Sequence, residues 1–236
     1  PKLDRNKLTE FHGHLNVNKP DIVVLNETWL KPSICDNEII NDSQYKLFRK
    51  DRSTRTHPPD PMNPHKFRRN GGGVLVAIRS DIECSSKCIN TGSGAEMLAV
   101  ELTFPDKTKL VILTCYRVGT LGSEHHNIVA KALQSILKKR KPPKIYIIGD
   151  FNLAAASWQQ SNSPSSSVPI EQQFIDSFHQ FGLHQLIRSP THLGGNTLDI
   201  LLSNFETSIS ELNIMDKDAV CKADHFPISF NINRKI

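Results

Sequence analysis

The stretch IYIIGDFN, residues 145–152, runs through four apolar side chains and stops on Gly149, Asp150, Phe151 and Asn152. Such an ending has two explanations. Gly, Asp and Asn are ordinary turn formers, and they are also what a rigid strand end presents when it holds polar groups over a cleft. The surrounding sequence decides between a corner and a site.

The same pattern recurs along the chain. KLTEFHGHLNV (7–17) places Leu8, Phe11 and Leu15 on one helical face, and DIVVLNETWL (21–30) follows as a short apolar strand. GGGVLVAIR (71–79), EMLAVELTF (96–104) and KLVILTCYR (109–117) are β-rich runs, the last two joined by PDKT, which has the Pro and Asp of a tight hairpin. EHHNIVAKALQSILKKR (124–140) spaces Ile128, Leu133, Ile136 and Leu137 as a helix, with cations toward its C-terminal end. SWQQSNSPSSSVP (157–169) reads as a surface loop, and the helix IEQQFIDSFHQFGL (170–183) stacks Phe174, Phe178 and Phe181 as core. NTLDILLSN, SISELNIM and FPISFNI close the chain as three more strands. Strands interspersed with a few helices, some joined by short turns, predict mixed sheets with helices outside in one domain spanning 1–236.

Composition narrows the function classes. The chain has 236 residues, 29 Lys and Arg against 24 Asp and Glu, a net charge of +5 and a pI near 9.0. That modest excess suits polyanions and suits a solvated surface equally well. No run approaches the roughly 20 apolar residues a bilayer span needs, so no membrane association is expected. Cys35, Cys84, Cys88, Cys115 and Cys221 form no CxxC pair, which disfavours a disulfide framework or structural zinc and fits a reducing compartment.

Five polar groups stand where an apolar strand would not choose them: Glu27, Tyr116, Asp150 with Asn152, Asp199, and the pair Asp224 and His225 just before the last strand. Each alone fits a turn, a cap or a wet tyrosine. Five in comparable places point to one shared edge, where converging carboxylates make a hard-cation site. In TLDILLS, Leu198, Ile200 and Leu202 share one face and Asp199 the other, so its carboxylate is half buried and needs a partner. His225 is the natural candidate, because a carboxylate beside an imidazole fixes its tautomer and favours its charged form.

In this order NETWL, RNGGGVLVAI, YR, GDFN, PTHLGGNTLDILLSN and ADHFPI resemble the endonuclease/exonuclease/phosphatase superfamily. More closely they resemble the apurinic-like endonuclease domain of non-LTR retrotransposons of the jockey and chicken-repeat type. The resemblance covers nearly the whole chain. It implies an α/β (α+β), DNase I-like four-layer sandwich: two mixed β-sheets packed face to face, helices outside, and the active site at one edge. It implies Mg2+, or Mn2+, held by Glu27 with help from Asp224. Asp150 handles the attacking water, Asn152 and Tyr116 hold the scissile phosphate, and Asp199 polarises His225. Glu96 matches an acid that steadies Tyr116, or is a plain strand-starting residue. The family's first strand, with its metal-site Asn, aligns immediately before Pro1 and is expected to be missing from these 236 residues.

The activity implied is a metal-dependent nick in double-stranded DNA that leaves a 3′-hydroxyl to prime reverse transcription. The implied setting is a monomeric domain of a larger polyprotein with a reverse transcriptase, made in the cytoplasm and acting in the nucleus. The alternatives are an abasic-site repair endonuclease or another phosphoesterase of the superfamily, or a non-catalytic DNA-binding remnant. For backbone contacts, the basic segment 46–70 reads as a loop that carries Arg68 and Arg69 among eight cations, whereas LKKRKPPK (137–144) reads as a solvated cap. Residues 189–197, SPTHLGGNT, read as a hairpin tip, so Thr191, His192, Asn196 and Thr197 are candidate DNA contacts; a plain Gly-Gly turn is the alternative. Arg117 either reaches a phosphate or caps a strand.

Overall fold

The computed structural model describes the chain apart from residues 1–2, 42, 58–70, 93, 119–122, 139–140, 154–169, 206–208, 222 and 234–236. Its centre is the hairpin of β5 (Glu96–Thr103) and β6 (Lys109–Tyr116). The PDKT turn closes it as the sequence predicts: Lys107 takes φ 66°, Asp106 Oδ1 accepts the Thr108 N–H, and Phe104 N–H donates to Thr108 O.

From β6 the chain crosses through α3 (Ser123–Leu137) into β7 (Lys144–Asp150), which lies parallel to β6. On the far side of β7, β9 (Asp199–Ser203) returns antiparallel. With β4 (Ser85–Ile89) and β8 (His184–Gln185) the order is β4-β5-β6-β7-β9-β8.

Alternation splits this sheet between two cores. Met97, Ala99, Val111, Leu113, Ile145, Ile147, Ile200 and Leu202 face α3 and α4 (Ile170–Gln180) and join Leu133, Ile136, Phe174 and Phe178. The intervening Leu98, Val100, Leu102, Ile112, Tyr146 and Leu201 face the opposite way, against Val74, Val76 and Ile78. Each such side chain removed from water is worth about 1.5–3 kcal/mol, so a register slip of one residue is prohibitive.

The facing layer holds β1 (Ile22–Asn26), β2 (Tyr45–Lys50) and β3 (Val74–Arg79) in the order β1-β3-β2, and the ladder β10 (Ile209–Ile214) with β11 (Ile228–Ile232). All three ladders of this layer are antiparallel, so only the six-stranded sheet is mixed. No ladder joins β1 to β11 among the described residues, although both pack on the same apolar layer. Outside β1-β3-β2, α1 (Arg5–Asn18) contributes Phe11 and Leu15 and α2 (Asp36–Ile39) contributes Ile39, all against Leu75 and Ala77. The stack is therefore helix, sheet, sheet layer, helix, the expected four-layer sandwich. Among the described residues no helix is long and apolar enough to cross a membrane.

Part of the expected basic loop is strand. Residues 45–50 form β2 because Leu47 and Phe48 point into opposite apolar layers. Arg49 is drawn to Asp36, Asp51 and the carbonyls of Lys31 and Ile34 instead of extending toward a ligand. Of the cations expected at the end of α3, Lys138 falls just beyond it: the helix stops at Leu137, and the Lys138 N–H donates to Gln134 O, whereas Lys139 and Arg140 lie outside the described residues.

Candidate active site

Four strands bring their polar ends to one edge. Parallel pairing of β6 and β7 puts Tyr116 and Asp150 at coincident C-terminal ends, and antiparallel β9 starts there, with Asp199 directly opposite Asp150. Glu27 follows the last residue of β1. Gly149 is required at this edge for space and not for turning: a Cβ there would collide with the Cys115 carbonyl oxygen on β6. The chain turns later, at Asn152, whose φ is 50° and whose N–H donates to Asp150 Oδ1 at 3.0 Å.

His225 joins this edge as expected. Its Nδ1 donates to Asp199 Oδ2 at 2.8 Å, and its Nε2 lies 3.8 Å from Asp150 Oδ2. Burial opposes the imidazolium, but the hydrogen bond and charge of Asp199, with Asp150 and Asp224, outweigh it and hold His225 at about 9. Asp150 is pushed up to about 7, first by burial and then by the Asp199 charge, with His225 and the Asn152 N–H pulling the other way. Between these values the pair is carboxylate beside imidazolium.

On the other side, Tyr116 Oη donates to Glu27 Oε1. Burial and this bond both raise the phenol's pKa, so Tyr116 stays a donor. Glu27 sits at φ 53° and Trp29 at φ 56°, a turn held where Thr28 and Trp29 N–H groups donate to Gly73 and Gly72 carbonyls. Glu96 Oε2 accepts the Gly73 N–H at 2.8 Å, and Glu96 pairs with Arg52, whose guanidinium lies 5.8 Å from the Tyr116 ring centre. In the sequence Arg52 is one of the eight cations of the basic segment expected to face DNA. The structure buries it, and the signal that could have placed it is the glycine run 71–73, where a Cβ on Gly72 would collide with Arg52 and Glu96.

The remaining candidates divide. Residues 189–197 do form a turn tip, with His192 N–H on Asn196 O and Leu193 N–H on Asp224 O, and His192 bridging His225. Asn196 is exposed and Thr197 half buried. Thr191 is 0 % exposed, and its Oγ1 accepts the N–H groups of Leu198 and Asp199, so it braces Asp199 and faces no DNA. Arg117, a candidate for a phosphate contact or a strand cap, is also buried, with its guanidinium on the Phe151 and Asn152 carbonyls. Arg68 and Arg69 lie outside the described residues.

Asp224 is the exposed member of the edge, at 72 %, with Oδ2 3.6 Å from His192 Nε2. Ligand atoms of His192, Asp224 and His225 lie within 4.8 Å of one another. The hydrogen bonding does not suit a cation there: His192 Nδ1 accepts the Gly194 N–H, so its Nε2 carries the proton. The carboxylates fit a divalent ion better. Glu27 adds negative charge to an Asp150 already opposed by Asp199, and hard oxygen donors in surplus negative charge are what Mg2+ prefers.

Residues 110–229, just over half of the chain, match the family described as endonuclease-reverse transcriptase. No curated protein matches by sequence. The fold is similar to the endonuclease domain of TRAS1, a telomere-specific non-LTR retrotransposon, with TM-score 0.66, 15% identity, and coverage of 98% of this chain and 93% of that one. It is likewise similar to the 3′-5′ exonuclease NExo from Neisseria meningitidis (TM-score 0.69, 14% identity, 97% and 95% covered). An AP endonuclease from Archaeoglobus fulgidus is comparable (TM-score 0.67, 13% identity, 98% and 95% covered).

Proposed function

The chain belongs to the endonuclease-reverse transcriptase family, and from that premise we propose that it is a divalent-metal-dependent endonuclease that nicks double-stranded DNA. The nick would leave a 3′-hydroxyl to prime reverse transcription for a non-LTR retrotransposon, within a polyprotein that also carries a reverse transcriptase and acts on chromosomal DNA in the nucleus. The observation that carries this reading is the Asp150–His225–Asp199 line beside Glu27 and Tyr116 at one sheet edge.

Hydrolysis of a phosphodiester brings an electron-rich oxygen to an anionic phosphorus, so neutralising charge and orienting water are the main tasks. Asp150, with a pKa near neutrality, accepts a proton from water as its oxygen bonds to phosphorus. His225, held as imidazolium by Asp199, faces the non-bridging oxygens. The bond from phosphorus to the 3′-oxygen breaks, and that oxygen takes a proton from solvent, giving a 3′-hydroxyl and a 5′-phosphate. A divalent ion held by Glu27 would supply charge neutralisation at the phosphate and the leaving oxygen. Tyr116 keeps its proton and fixes Glu27.

The test is nicking of supercoiled plasmid by the wild type and His225→Ala, in Mg2+ and in EDTA, beside an abasic oligonucleotide. Metal-dependent nicking of intact plasmid that His225→Ala loses is the expected result. Cleavage of abasic DNA alone would replace this reading with a repair activity, and equal nicking by both proteins would remove His225 from the chemistry.

A further inference from the structure

Arg117, the residue after Tyr116, meets the turn that carries Asp150 and Asn152 at four places. Its N–H donates to Asp150 O at 2.9 Å, and its carbonyl accepts from Asn152 Nδ2 at 2.8 Å. Its guanidinium Nη1 donates to Phe151 O at 3.2 Å and Asn152 O at 3.3 Å. Behind the turn, Nε donates to His126 Nε2 at 3.0 Å, and Nη2 lies 3.9 Å from Glu171 Oε1 on the first turn of α4. His126 is stacked on Phe174, ring centres 4.3 Å apart and 8° from parallel. Arg117 is 2 % exposed.

We infer that Arg117 is a positioning residue that sets the geometry of Asp150 and Asn152, and that it makes no contact with nucleic acid. This rests on the nicking endonuclease reading of the same edge. A guanidinium taken out of water is costly unless its donors are used. Here two successive carbonyls, both turned inward, use one nitrogen, and a neutral imidazole uses another. Asn152 occupies left-handed backbone, a conformation that asparagine adopts more readily than other non-glycine residues, and surrounding contacts hold it there. Arg117 supplies those contacts from both faces of the turn. With the turn imposed, the Asn152 N–H falls on Asp150 Oδ1, and Oδ2 is the oxygen left facing His225. The line of constraint therefore runs from α3 and α4 through Arg117 to the atom that takes the proton.

Substitution separates this role from a phosphate contact. An arginine that binds backbone phosphate, when removed, raises KM and flattens the salt dependence. A positioning arginine, when removed, lowers kcat, because displacement of reacting groups by about 1 Å costs on the order of 100-fold. Wild type, Arg117→Lys, Arg117→Met and the milder His126→Leu are compared for nicking kinetics across salt concentrations. In parallel, hydrogen exchange of the Asn152 side-chain amide is followed by NMR. Expected are a 10- to 100-fold fall in kcat for Arg117→Met, with a smaller fall for Arg117→Lys and His126→Leu, KM and its salt slope held, and faster exchange of the Asn152 amide. A rise in KM with a shallower salt slope and unchanged kcat would overturn the inference, as would a protected Asn152 amide in Arg117→Met. If Arg117→Met does not fold, the other two variants decide by the same measures. If the wild type does not nick DNA, the function reading fails by itself, and the amide exchange still decides the role of Arg117.

Discussion

Asp199 holds His225 by a 2.8 Å hydrogen bond at Nδ1 and thereby leaves Nε2 facing Asp150, 3.8 Å away. Asn in place of Asp199 keeps the shape and removes the charge that raises the imidazole. The expected outcome is a His225 pKa below about 9, read from the ring proton shift, together with a nicking rate at pH 8 reduced about 100- to 1000-fold, the usual effect of losing one charge-stabilising donor. An unmoved ring pKa would separate the two residues energetically.

Activity against pH follows from the same pair. In the proposed chemistry Asp150 acts as carboxylate and His225 as imidazolium, so the rate should fall as pH drops through about 7 and again as it rises through about 9. The expected profile is a bell with its plateau between those limbs. A cation bound near Glu27 would lower the acidic limb, so raising Mg2+ at fixed pH 6 should recover rate. A profile flat from pH 5 to 10 would contradict both assignments.

Asp150 also costs stability. Its folded pKa lies above its unfolded value, so ionisation is harder in the folded state. The cost is absent below about pH 3.8, develops as pH rises toward 7 and is full above that. Asp150→Asn, whose Oδ1 still accepts the Asn152 N–H, should abolish nicking and yet raise Tm in EDTA at pH 8. A domain of this size gains about 2–4 °C for each kcal/mol relieved. Scanning calorimetry at pH 8 and pH 4 checks it, the gain shrinking at the lower pH.

Much of this edge is legible in the order of residues alone. Strand periodicity puts Asp199 on the face opposite Leu198, Ile200 and Leu202, and the fold buries Ile200 and Leu202 in one core and Leu201 in the other. The polar strand ends are visible as interruptions in apolar runs. The burial of charge is not visible in this way. Arg49 looks in sequence like any basic surface and Arg117 like a phosphate contact or a strand cap, and only the carbonyls and carboxylates that tertiary packing aims at them reveal their burial; for Arg52 the glycine run 71–73 is the one hint. Strand β4, SSKCI, has no apolar alternation because it is an edge strand that needs β5 to exist. Which backbone comes close to Gly149 is not visible in sequence either, because the Cys115 carbonyl reaches it only through the pairing of β6 with β7.

The hairpin at 189–197 separates bracing from contact within a few residues. Thr191 is sealed, and Thr191→Val leaves the buried Leu198 N–H and the partly buried Asp199 N–H without their acceptor. That should cost about 1–3 kcal/mol and lower kcat by loosening Asp199. Leu193, 56 % exposed, and Asn196 stand at the tip, whose position is fixed from behind by the Leu193 N–H on Asp224 O. Leu193→Ala and Asn196→Ala should therefore leave stability and total nicking within about twofold while moving the positions at which a plasmid is cut, since groups that meet base edges specify and do not drive the reaction. Mapping nicks by primer extension reads the outcome. An unchanged map with both tip variants would mean that the turn serves only to carry Thr191 and the backbone that holds His225.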